Sequence, residues 1–225
     1  MTDQERQEFM QNWQAYQKND KVERFRRLNR FVKKGQILFA GSSLMEQFPI
    51  YEFLLDYDLP YTIYNRGIGG YTTTEMAAHL EECVFQLEPK VIFINIGTND
   101  LNGPDYEEAG LISRYRGILE TIKARLPEAR IIMLAYYPVN PEVAIPQMKA
   151  VFEHRTNARI LAANKAVEQM AKEMGLEYID LNGGLYDEKG NLKAEYTIEG
   201  MHMYANGYKT VLDRLVPVLQ SLQIS

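Results

Sequence analysis

The chain has 225 residues, 46% hydrophobic and 24% charged, the make-up of a globular domain, which excludes a disordered, collagenous or coiled-coil chain. Its 30 Asp and Glu outweigh 25 Lys and Arg for a net charge of −5, so the basic face of a dedicated nucleic-acid or anionic-membrane binder is not expected. One cysteine, Cys83, and three histidines without ligand spacing leave no intramolecular disulfide and no recognisable metal centre.

The first 32 residues read as a helical arm of one or two amphipathic helices. Phe9 and Trp13, then Val22, Phe25 and Leu28, lie on their faces. Residues 33–225 then read as a single α/β domain. Predicted strands cover 36–40, 61–65, 91–96, 130–135 and 177–180. Helical apolar spacing covers 45–57, 73–87, 106–126 and 156–174. A last helix is expected over 206–222, kinked or ended early by Pro217. No apolar run approaches the ~18 residues that cross a bilayer. The polar, acidic N-terminus is unlike a signal peptide, and the expectation is a cytoplasmic protein with no membrane span.

Strand–helix alternation implies a parallel sheet covered on both faces. Right-handed crossovers then gather the loops after the strands on one edge, where open α/β sheets bind ligands. Four of these loops carry candidate chemistry. The first strand runs into Gly41-Ser42-Ser43-Leu44, where a serine is either a helix cap or a nucleophile. The second ends in Asn65-Arg66-Gly67-Ile68-Gly69-Gly70-Tyr71-Thr72. A dinucleotide fingerprint would need glycine in place of Thr72, and the chain has no phosphate loop, so nucleotide binding is disfavoured. The third ends in Gly97-Thr98-Asn99-Asp100, offering a helix cap or an amide donor for an oxyanion. Glu199-Gly200-Met201-His202 precedes the last helix.

In this order the blocks resemble the GDSL/SGNH hydrolase family over about residues 36–215. Ser43 matches that family's nucleophile, and Asn65-x-Gly67-x-x-Gly70-x-Thr72 its N-x-G-x-x-G-x-T block. Gly97-x-Asn99-Asp100 matches its G-x-N-D block, and His202 its base. The chain departs twice: Ser42 stands where the family has aspartate before the serine, and Glu199 where it has aspartate three residues before the histidine.

The resemblance implies a three-layer α/β/α sandwich with a five-stranded parallel sheet, flavodoxin-like in order 2-1-3-4-5. It also implies hydrolysis of a small-molecule carboxylic ester without cofactor or metal. Ser43 would attack, His202 would act as base, and Glu199 would orient the histidine. The N–H groups of Ser43 and Gly70 and the amide of Asn99 would bind the oxyanion. The alternative is a weak or inactive module that binds an acylated ligand. The loop over 138–157, with Tyr136, Tyr137, Met148, Phe152 and Arg155, is expected to wall the pocket, with Arg155 either attracting an anionic substrate group or, as is commoner for a surface arginine, simply solvated. The arm is free to cover the domain or to pair with a second copy as a homodimer.

Overall fold

Five short runs, four of them mostly apolar, pair into one parallel sheet in a computed structural model that describes residues 1–222. In chain order the elements are α1 (Asp3–Leu28), β1 (Ile37–Gly41), α2 (Ser43–Glu46), α3 (Ile50–Asp56), β2 (Ile63–Gly67), α4 (Thr73–Ala78), α5 (Leu80–Cys83) and β3 (Val91–Asn95). They continue with α6 (Glu108–Arg125), β4 (Arg130–Leu134), α7 (Lys149–Phe152), α8 (Asn157–Met174), β5 (Glu177–Ile179) and α9 (Ala205–Gln220). The sheet order is β2-β1-β3-β4-β5, as the resemblance implies. Its register sets Ile37 beside both Ile63 and Val91.

Every residue of β1 and β3 is buried, because strand alternation feeds two cores. Leu38, Ala40, Ile92 and Ile94 face a layer built from the buried stripes of α1, α6 and α8. Ile37, Phe39, Val91 and Phe93 face the opposite layer, where α2, α3 and α9 pack. On α9, Tyr208, Leu212, Leu215 and Leu219 supply the stripe, each contributing roughly 1.5–3 kcal/mol by leaving water.

Three helical expectations change. The run 45–57 divides because Pro49, which has no N–H to donate, starts α3. The run 73–87 breaks at His79, whose Nδ1 donates to the Glu75 carbonyl at 3.1 Å, the acceptor that residue 79's own N–H would take in an α-helix. Pro217 does not end α9, which runs on to Gln220. Both Pro217 and Asp213, whose carbonyl loses its partner, lie on the exposed side.

The arm is one long helix with a capping box: Thr2 Oγ1 accepts from Glu5 N at 3.2 Å, and Glu5 Oε2 accepts from Thr2 N at 2.6 Å. Amphipathic packing holds only for Val22 and Phe25. Phe9 and Trp13 stand 58% and 47% exposed, and Leu28 is exposed too.

Gly97 fixes how β3 leaves the sheet. Its φ is +120°, and a Cβ there would sit 2.3 Å from Tyr136 Oη. Gly97→Ala should therefore cost about 3 kcal/mol, combining overpacking with backbone strain. Gly175, with φ +65° and open space around it, has the strain without the clash. Thermal melting of both variants checks this, since equal losses would mean the clash is relieved at no cost.

Candidate active site

The loops after β1, β2 and β3, with the segment before α9, meet at the C-terminal edge of the sheet. Ser42 leaves β1 extended and opens α2 without using its side chain as a cap. Its Oγ is buried and has no partner. Ser43 follows as the first helical residue, and its Oγ lies 2.8 Å from His202 Nε2. α2 is a single turn, so a helix dipole adds little at Ser43. The fixed backbone is what aims the hydroxyl.

His202 is held from behind. Its Nδ1 contacts Glu199 Oε1, and that same oxygen accepts from the His202 backbone N at 3.3 Å. Thr197 folds the connecting turn, accepting from Gly200 N at 2.9 Å and donating to the His202 carbonyl at 3.0 Å. The turn is anchored by Asn140 N, which donates to the Gly200 carbonyl at 2.7 Å. This compact turn absorbs the extra methylene of glutamate. Glu199 is 8% exposed, and its other carboxylate oxygen is buried without a partner.

The block after β2 makes a rigid bend. Asn65 Nδ2 donates to the Met45 carbonyl at 2.5 Å, and its Oδ1 accepts from Gly67 N at 2.9 Å, tying β2 to α2. Thr72 caps α4. Between them Gly70 takes φ +72°, a conformation that glycine reaches without steric cost. Two lysines of the arm brace this bend. Lys18 Nζ donates to the Gly70 carbonyl at 3.0 Å and to Glu75 at 2.6 Å. Lys21 pairs with Glu46 at 2.8 Å, and Glu46 Oε2 accepts from Gly69 N at 2.6 Å. The peptides on either side of the 69–70 unit are thus both held, while the Gly70 and Ser43 N–H groups find no acceptor among the described residues.

Asn99 completes the set. Its Nδ2 donates one hydrogen to the Tyr71 carbonyl at 2.8 Å, leaving the other free. Asp100 is not a cap for its own helix. It accepts from Thr73 N at 3.0 Å and Thr73 Oγ1 at 2.5 Å, pinning the start of α4 to the third loop.

Ser43, Gly70, Asn99 and His202 line a cavity of about 340 Å³ with Met148 and Val151. It adjoins one of about 630 Å³, walled by Gln14, Lys18 and Lys21 of the arm and sharing Gly70 and Asn99. The expected pocket wall is only partly right. Met148 lines it, but Tyr136, Tyr137, Phe152 and Arg155 are buried, because the chain turns inward before and after the exposed 141–151 stretch. Arg155 is 2% exposed, so it cannot greet an anionic substrate group.

The residues that sequence reasoning missed are Lys18, Lys21 and Glu46. Each acts across a long separation and carries no local signal. Among the described residues no three His, Cys, Asp or Glu cluster to hold a metal ion. No helix among them is long and apolar enough to cross a membrane.

The model of the GDSL-like Lipase/Acylhydrolase family matches residues 40–210. The alpha2 subunit of platelet-activating factor acetylhydrolase IB from Homo sapiens is 27% identical over 200 residues, covering 86% of this chain and 82% of that protein. Among solved structures, a Streptococcus pneumonia protein provisionally assigned as a platelet activating factor superposes with a TM-score of 0.87. It is 28% identical and covers 97% of this chain and 100% of its own. A GDSL-like lipase of Bacteroides thetaiotaomicron gives a TM-score of 0.72 at 21% identity, covering 89% and 98%, a likeness of fold.

Proposed function

This chain belongs to the GDSL-like Lipase/Acylhydrolase family, whose members hydrolyse esters, and from that premise we propose that it cleaves carboxylic esters through an acyl-enzyme on Ser43. The observation that carries the reading is the unbroken chain from Ser43 Oγ through His202 to Glu199. It opens onto a cavity where three hydrogen-bond donors stand free.

Neutral His202 takes the Ser43 proton at Nε2 as Oγ attacks the ester carbonyl carbon. Glu199 at Nδ1 holds the ring and stabilises the imidazolium. The carbonyl oxygen becomes an oxyanion, which the N–H groups of Ser43 and Gly70 and the spare Asn99 hydrogen bind. His202 then returns the proton to the leaving alcohol. A water molecule, deprotonated by the same ring, attacks the acyl-enzyme and releases the acid, restoring Ser43.

The name of the curated relatives makes an acetyl ester the first substrate to try. With p-nitrophenyl acetate we expect a burst of p-nitrophenol stoichiometric with enzyme, unaffected by EDTA. Activity lost to the chelator, or release of p-nitrophenol without a burst, would count against the serine–histidine route. Absence of any turnover on a panel of acyl lengths and acetylated sugars would instead favour a binding module.

A further inference from the structure

We propose that Arg155 is a positioning residue for the oxyanion hole, holding the Asn99 amide so that its free hydrogen faces the Ser43 pocket. The inference rests on the serine-esterase reading above. Arg155 stands between α7 and α8, where its backbone N donates to the Val151 carbonyl at 2.8 Å. Its side chain runs into the core behind the third loop. Nη2 donates to the Thr98 carbonyl at 2.6 Å and to Asn99 Oδ1 at 2.7 Å. Nη1 lies against Met201 Sδ, and Nε is buried without a partner.

A guanidinium in such a place is expensive. Burial pulls its pKa down to about 10, opposed by Asp100 and Glu199, so it still carries its charge at neutral pH. Packing alone does not account for it, since a long apolar side chain would fill the space without desolvating a charge. What the cation supplies is a charge-assisted donor, Nη2, that meets two acceptors on neighbouring residues, the Thr98 carbonyl and Asn99 Oδ1.

The short Nη2 contact, with Asn102 Nδ2 donating more distantly to the same oxygen at 3.5 Å, sets which way the amide points. With Oδ1 on the cation, Nδ2 must face the Tyr71 carbonyl, which takes one hydrogen at 2.8 Å, and the second hydrogen is left for a ligand. A flipped amide would set its NH₂ against the guanidinium and its oxygen against the Tyr71 carbonyl, repelling at both ends. The cation also draws electron density from Oδ1, which makes the Nδ2–H a stronger donor, and it adds positive potential where the oxyanion forms.

The test is a double-mutant cycle on turnover of p-nitrophenyl acetate by the full chain. Asn99→Ala should cost ~10²–10³ in kcat as the loss of one oxyanion donor. Arg155→Met should cost ~10–10² with KM little changed, because the interaction lost is made only in the transition state. Combined, the two should be no slower than Asn99→Ala alone to within about threefold, since additivity fails for residues that act as a unit. Arg155→Lys should recover part of the loss. If Arg155→Met does not fold, judged by circular dichroism, Arg155→Lys and Arg155→Gln carry the same cycle.

A purely structural arginine would slow both backgrounds by the same factor, and that result overturns the proposal while leaving the esterase intact. Parental kcat in Arg155→Met would overturn it too. Parental kcat in Asn99→Ala would remove the oxyanion assignment and this inference with it. Survival of activity in Ser43→Ala is the separate sign that the esterase reading itself has failed.

Discussion

Ser43→Ala is expected to remove ester hydrolysis, with a fall in kcat of about 10⁴–10⁶, the range seen when a triad nucleophile is deleted. The fold should be unchanged, because among the described residues the hydroxyl's one hydrogen bond is to His202, and the Cβ is kept. Ser42→Ala is the control. Its hydroxyl is buried with no partner, so its loss should leave turnover near parental and stability unchanged or slightly raised. An organophosphonate should add its mass to the peptide that contains Ser43 and to no other serine peptide. Near-native turnover by Ser43→Ala in metal-free buffer would refute the mechanism.

Glu199→Gln should lose at least ~10² in kcat with KM little altered, by the logic of the serine-protease acid, where the amide leaves the geometry intact but favours the wrong histidine tautomer. The structure gives this weight. The carboxylate oxygen that touches Nδ1 also accepts the His202 backbone N–H, so side chain and loop are aligned by one atom. The amide introduced by Glu199→Gln could turn its NH₂ toward Nδ1 and hold Nε2 protonated, the form unable to take the serine proton. Glu199→Asp should retain partial activity, since the turn is built around the longer side chain. A Glu199→Gln enzyme as fast as the parent would reduce the triad to a Ser–His dyad.

The parallel sheet and the residues around Ser43 were legible because each is announced locally. Short apolar runs mark the strands, and each motif block lies at a strand end that the alternation brings to one edge. What was not legible acts at a distance. Arg155 reaches Asn99 across 56 positions and Lys18 reaches Gly70 across 52, and neither side chain has a neighbour in sequence that betrays its target. Tyr136 and Tyr137 have the composition of a pocket wall. They turn into the core because they prolong a strand whose register, not their own chemistry, decides their direction. The helix break at His79 was hidden for a related reason, as it depends on the ring capturing the Glu75 carbonyl.

The bond between Ser43 and His202 spans 159 positions, which bears on how the molecule comes to life in time. Parallel strands and remote contacts require large loops to close before any contact rewards them, so such chains fold slowly. Ser43 stands at the end of β1 near the start of the chain, whereas His202 waits on the segment that leads into α9. No early intermediate in which only local helices and neighbouring strands have formed can hold both. The pair therefore waits on contact between distant parts of the chain. During synthesis a growing chain lacks one partner of the pair until residue 202 has been made.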